Sequence, residues 1–291
     1  MISLEVVLQV DASSFVVQNK YFNNPPTFKS MSYDVILFTD CNTRLYHAKS
    51  LGVHRIATEL RKHGYSVKVL DFFGEWLKEP ATLFELLKTL IGPNTLFLGF
   101  SGVFLTENLS KNPSSFREYA HSGWTGWPQR TEKKQVFFHA VRKMWPHVKI
   151  VYGGISTNLQ AILAAPGVDY LVRGLADNTV IELASHLRHG TPLKFMLENG
   201  TRVIGHDTKA LGFDFANSVV QYLPEDNIVP RQILPLETSR GCLFKCSFCD
   251  FTLIGRKKGD PDYHKTVEVL AQEFRDNWKN YQVNRYMFVD D

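Results

Sequence analysis

Cysteine is scarce in this sequence: four residues in 291, three of them within eight positions. That distribution excludes a disulfide framework, which needs paired thiols along a secreted chain, and no signal-peptide pattern opens the sequence. A reducing, cytoplasmic setting is therefore expected. No apolar run approaches the roughly 18 residues of a membrane helix, so no span is expected. A charge of one sign is missing too: 33 basic against 29 acidic residues leave +4, too little to mark a nucleic-acid surface. Neither a P-loop nor a GxGxxG fingerprint follows the first apolar run, which weighs against nucleoside triphosphate and dinucleotide binding.

What is present is an alternation of strands and helices. The run YDVILFT is short and continuously apolar, as a parallel strand buried on both faces must be. An amphipathic helix over 51–63 follows, closed by Gly64, and then SVKVLDF as a second strand. ATLFELLKTLI, TEKKQVFFHAVRKMW, TNLQAILAA and NTVIELASHLRH read as helices, with TLFLGFS, VKIVYGG and VDYLVRG as strands between them. Five strands with intervening helices predict a doubly wound α/β parallel sheet of the flavodoxin or Rossmann-like kind. Ligands of such sheets bind beyond the carboxyl ends of the strands, here residues 40–42, 101–103, 153–156 and 173–175. Glycines after strands also serve simply as turn formers. The insert between the third strand and its helix, rich in aromatic, Gly and Ser residues, is a candidate lid, with His121, Trp124 and Trp127 as candidate contacts.

Residues 191–234 change character. KFMLENGTRVIGHD reads as a hairpin with an Asn-Gly turn, and the stretch with Pro224, Pro230 and Pro235 reads as a linker. After it, HKTVEVLAQEFRDNWKNY is a helix and VNRYMFVDD a strand. The first thirty residues hold two apolar runs interrupted by NNPPTF and read as an extension.

Cys242, Cys246 and Cys249 stand at CxxxCxxC spacing in the loop between these units. Iron-sulfur cubanes are normally held by four thiolates, so three in one loop leave an iron open to a small molecule. A structural zinc site wants a closed set of four ligands; the nearest extra donors are His264, fifteen residues on, and the distant Cys41. Cys41 reads as a small buried hydrophobe. Arg240 and Lys245 either moderate the charge of a cluster or are ordinary solvated cations.

The run LETSRGCLFKCSFCDF resembles the cluster loop of radical S-adenosylmethionine enzymes. The resemblance implies that the three cysteines ligate a 4Fe-4S cluster whose open iron chelates S-adenosylmethionine, the cosubstrate. It further implies reductive cleavage to a 5′-deoxyadenosyl radical, an electron donor such as flavodoxin or ferredoxin, Phe248 against the adenine, and Asp290 and Asp291 near the methionine amino group. Phe248 reads equally as loop packing, and the two aspartates as plain strand-end acids. The fold implied is a partial (β/α) barrel. Such a barrel takes about 200 residues or more. Far fewer follow Glu237, so either a fragment or completion by a second polypeptide is expected.

The amino-terminal half resembles the cobalamin-binding-type domain that precedes the radical domain in one subgroup. IVYGGIST and VDYLVRGLADNTVIELASHL match its fourth and fifth strands, with Gly153, Gly154, Arg173 and Gly174 at the matching places. The DxHxxG motif that supplies an axial histidine is absent, since Asn42 stands at the histidine offset after Asp40. Binding of cobalamin without that ligand, or of another group, stays open. The expected organisation is an extension over 1–31, a cobalamin-type domain over 32–190, a hairpin and linker over 191–234, and the start of the barrel over 235–291. Methyl transfer and radical rearrangement are both open. A methylthiotransferase acting on transfer RNA is disfavoured, because its amino-terminal domain would bring more cysteines. The competing reading is a non-catalytic zinc- or cluster-binding module, or an inactive relic.

Overall fold

The computed structural model describes residues 32–39, 49–71, 73–77, 79–101, 127–154, 167–205, 213–228, 232–240 and 264–289. Seven strands form one sheet: β1 (Val35–Phe38), β2 (Val67–Leu70), β3 (Phe97–Ser101), β4 (Lys149–Gly154), β5 (Tyr170–Arg173), β6 (Met196–Glu198) and β7 (Thr201–Gly205). Their spatial order is β2-β1-β3-β4-β5-β7-β6, with every neighbouring pair parallel except β6 on β7. The predicted α/β architecture is observed, and the order reverses between β1 and β3, where doubly wound sheets open a crevice.

Alternation along the buried strands supplies two cores. Ile36, Phe38, Leu98, Phe100, Ile150 and Tyr152 point to one face, covered by α2 (Phe73–Trp76), α3 (Pro80–Leu90) and α4 (Trp127–Met144). Val35, Leu37, Val67, Val69, Val151 and Val172 point to the other, covered by α1 (Leu51–Lys62) and α5 (Thr179–His189). The first face is aromatic: Phe38 stacks on Phe100 at 4.8 Å, and Phe73 and Phe137 meet both rings edge-on. Such pairs add to the burial of area because ring edges are positive and faces negative.

The predicted hairpin forms, with Asn199 and Gly200 both at positive φ (49° and 84°), as a two-residue type I′ turn requires. It is no detached connection. β7 pairs in parallel with β5, so the hairpin extends the five-stranded core to seven strands. The proline-punctuated stretch packs through its aromatic residues. Phe213, Phe215, Val220 and Tyr222 are buried, and Pro224 opens a 3-10 turn.

Beyond it, β8 (Ile233–Leu236) pairs in parallel with β9 (Arg285–Phe288) across α6 (Val267–Tyr281), whose first turn is capped by the Thr266 hydroxyl accepting from the Val269 amide. The helix expected at TNLQAILAA and the amino-terminal extension lie outside the described residues, as do His121 and Trp124. Trp127 opens α4, so the helix begins four residues before its expected start. Among the described residues no helix is long and apolar enough to cross a membrane.

Gly205 ends β7 at φ 91°, and a Cβ there would lie 2.6 Å from the Arg173 carbonyl oxygen. Gly205→Ala is expected to lower unfolding free energy by roughly 1–3 kcal/mol, read from urea denaturation.

Candidate functional site

The carboxyl ends of the parallel strands open into a cavity of about 360 Å³. Its floor is Leu37, Phe97, Gly99, Ser101, Val151 and Val172, and its wall on one side is the start of α1. Gly153, Gly154 and Gly174 line it, the last two at φ 133° and 70°. Gly99 lets the Leu37 side chain pack directly against β3, because a Cβ there would come within 2.6 Å of Leu37 Cδ2. The far wall comes from the second sheet: Pro235, Glu237, Arg240, Met287 and Val289. The lining is mostly apolar with a few charged groups at one corner, the usual makeup of a small-molecule site.

That corner is a buried ion cluster. Arg240 donates from Nη1 to Asp177 Oδ2 at 2.8 Å, and from Nε and Nη2 to the two Glu237 oxygens at 2.9 and 3.1 Å. Arg55, on α1, donates from Nε to Glu237 Oε2 at 3.1 Å and from Nη1 to Ser218 Oγ at 2.9 Å. Both guanidiniums lie over the Phe215 ring, at 5.6 Å for Arg55 and 4.7 Å for Arg240. Burial pushes the Glu237 carboxyl up, but Arg55 and Arg240 outweigh it and hold it below the usual carboxylate range. The two carboxylates raise Arg240 above its ordinary value despite its burial. Arg240 is thus no solvated cation, and its charge is matched by Asp177 and Glu237 rather than left over for a neighbouring cluster.

The ion cluster sits where the cysteine segment begins. Ser239 and His264 form an antiparallel bridge, and the Lys265 amide donates to the Thr238 carbonyl at 2.9 Å. The segment leaving after Arg240 therefore returns beside its own start. Lys265, buried, pairs with Glu273 at 2.6 Å, and the other Glu273 oxygen accepts from the Val220 amide.

Solved structures share this fold, among them two of a single enzyme. One is the radical S-adenosylmethionine methyltransferase TsrM from Kitasatospora setae with tryptophan substrate and a SAM analogue bound, at 16% identity and TM-score 0.59, covering 89% of this chain and 48% of that one. The other is TsrM from the same organism with cobalamin and a 4Fe-4S cluster bound, at 15% identity and TM-score 0.59, covering 90% and 49%. At this identity the likeness shows the fold alone. The chain spans about half the length of those two proteins. No family model matches the sequence, and no curated protein matches it.

Of the residues singled out in the sequence, Gly153, Gly154, Gly174, Ser101 and Leu175 come together around the cavity. Cys242, Cys246, Cys249, Phe248, Lys245, Asp290, Asp291, Asp40, Cys41 and Asn42 lie outside the described residues. His264 is exposed at the bridge. Among the described residues no group of three or more His, Cys, Asp or Glu could hold a metal ion. Arg55, Asp177 and Glu237 are new. No local signal marks Arg55, which on a helical period lies on the side of α1 opposite Val53, Ala57 and Leu60 and is buried there only by the packing of distant segments.

A second buried network fastens the linker to α1. Arg61 grips both Asp226 oxygens at 2.8 Å, Lys49 pairs with Asp71 at 2.6 Å and donates to the Asp226 carbonyl, and His54 Nδ1 lies 3.9 Å from Asp226 Oδ2. His54 is fully buried against Tyr222, with ring centroids 4.9 Å apart. Burial lowers it to about 4, against the pull of Asp226 and Asp71.

Two outcomes follow from these networks. Arg240→Ala strands Asp177 and half of Glu237 without a partner, and is expected to cost about 3–5 kcal/mol in chemical denaturation. His54 stays neutral in the folded chain down to about pH 4 but takes a proton near 6.5 when unfolded. Stability is therefore full above pH 6.5 and falls by roughly 3 kcal/mol as pH drops toward 4. Urea titrations at both ends of that window should show the loss, and His54→Leu should remove that part of it.

Proposed function

We propose that this chain is part of a radical S-adenosylmethionine enzyme, with Cys242, Cys246 and Cys249 holding a 4Fe-4S cluster and the cosubstrate binding at its open iron. The observation that carries this reading is the setting of the cysteine segment. It leaves the carboxyl end of β8, leads through α6 to a parallel neighbour, and starts beside a cavity at the carboxyl edge of the larger sheet. Parallel α/β architectures place their chemistry at that end. The fold likeness to a radical S-adenosylmethionine methyltransferase supports the same reading.

Three soft thiolates suit iron and sulfide, and their number leaves one metal corner for a small molecule. When bound, the cluster supplies the electron that splits the sulfonium into methionine and a 5′-deoxyadenosyl radical. Phe248 is assigned to the adenine, and Asp290 and Asp291 to the methionine amino group. An electron donor such as flavodoxin or ferredoxin is the partner this requires, in a cytoplasmic setting. Arg240 acts by position: tied to Asp177 and Glu237, it sets the direction in which the chain enters Cys242.

The α/β unit with its hairpin and the β8–α6–β9 unit are proposed as two domains, the second being the start of a barrel. In the first, Gly153, Gly154 and Gly174 are proposed to contact its ligand. A cavity of about 360 Å³ takes a nucleotide-sized group. Cobalamin held without the histidine of a DxHxxG motif, or another group, would be compatible with this site, since Asn42 stands at that offset. Methyl transfer and radical rearrangement are both compatible with this arrangement.

Anaerobic reconstitution with ferrous iron and sulfide tests the reading. About four irons per chain, a brown chromophore and a reduced-state paramagnetic signal that shifts on adding S-adenosylmethionine are expected. Stoichiometric zinc without iron would identify a metal-binding module instead. Cys246→Ala should lose the iron while the α/β unit melts as before; normal iron content in that variant refutes the ligand assignment.

A further inference from the structure

We propose that the free edge of the seven-stranded sheet is a self-association surface, on which β6 of one copy pairs antiparallel with β6 of a second copy in the register that sets Lys194 against Glu198. This inference stands apart from the proposed enzymatic activity. β6 is the last strand of the sheet and, among the described residues, is paired on one side only, with β7. Its approach and body are unusually apolar for an open edge: Phe195 is 47% exposed, Met196 53% and Leu197 67%. Bare edges of this kind are normally blunted by charge, proline or a cover, because their unpaired amides and carbonyls template another strand.

The backbone limits how two copies can meet. With a two-residue turn at Asn199 and Gly200, Glu198 and Thr201 flank the turn as a pair that exchanges both hydrogen bonds. Alternation then directs the amide and carbonyl of Met196 toward β7, and those of Phe195 and Leu197 toward the open side. Two identical strands can join these outward groups antiparallel in three ways: Phe195 opposite Phe195, Leu197 opposite Leu197, or Phe195 opposite Leu197. The first sets Lys194 against Met196, and the second sets Glu198 against Met196. The third alone sets Lys194 against Glu198, at both ends of a two-fold axis that passes through Met196.

In that register every side chain has a fitting neighbour: two charge pairs, two Phe195–Leu197 contacts on one face, and Met196 against itself on the other. Each copy contributes Lys194 to one charge pair and Glu198 to the other, as a closed two-fold interface demands. The strand is complementary to itself, which selects a second copy over an arbitrary peptide as occupant. Lys194, a guard against unrelated edges, has its counter-charge four residues along the same strand. Because one short strand edge buries little area, the association is a weak one, in the micromolar range.

Analytical ultracentrifugation of the full chain up to about 100 μM, a range that brackets such a Kd, should show a monomer–dimer equilibrium. Lys194→Glu and Glu198→Lys each turn two attractive pairs into repulsive ones and should weaken the dimer roughly tenfold. The double swap should restore it. Leu197→Asp, at a side chain two-thirds exposed, should leave only monomer with an unchanged circular dichroism spectrum. A chain that stays monomeric throughout, a dimer indifferent to the single swaps, or a double swap as weak as either single one overturns the proposal.

Discussion

The structure depends most on four charges that have left water together. Arg55, Asp177, Glu237 and Arg240 belong to α1, the start of α5 and the end of β8, and all four are largely removed from solvent. A buried charge is tolerable only while its partners are in place, so the set behaves as a single unit. Two guanidiniums and two carboxylates cancel, and the shared Phe215 ring gives both cations an apolar seat. The consequence is positional: the carboxyl end of β8 is held against the carboxyl edge of the larger sheet, and the chain enters the cysteine segment from a fixed point.

The cavity follows from the same polarity. Parallel pairing brings the carboxyl ends of β3, β4 and β5 to one edge, and glycines there leave space where side chains would close it. The second sheet closes the far side with Pro235, Met287 and Val289. The cavity and Arg240, the residue from which the cysteine segment departs, therefore share one ion cluster. The linker contributes as well, since Tyr222, Asp226 and Phe215 pack on α1 or its charges and make one body of the two sheets.

Much of the architecture was legible in the sequence. Strands buried on both faces carry unbroken apolar runs, and β1, β3, β4 and β5 all formed where such runs stand. The Asn-Gly pair announced the hairpin because few residues accept two successive positive φ values. What the hairpin would join was not legible, because pairing of β7 with β5 depends on a crossover through α5 and on the open side of the sheet. How the linker packs was not legible for a related reason: Phe213 and Phe215 cluster with Leu175 and lie under Arg55 and Arg240, and Tyr222 clusters with Leu234 and Val283, partners that only the folded chain brings together. Glu237 and Arg55 are 182 residues apart and Arg240 and Asp177 63 apart, too far for any local pattern to pair them.

By itself, then, the sequence determined the features that depend on neighbours along the chain: helix and strand periods, the turn residues, and three thiols within reach of one another. The tertiary structure alone decided which strands adjoin, that Arg240 is neutralised rather than free, and that glycines from two strands share a cavity with the end of β8. The reason is range. Backbone preferences and short ligand spacings act over a few residues, whereas charge pairing and cavity shape arise only once distant segments are packed and water is excluded between them.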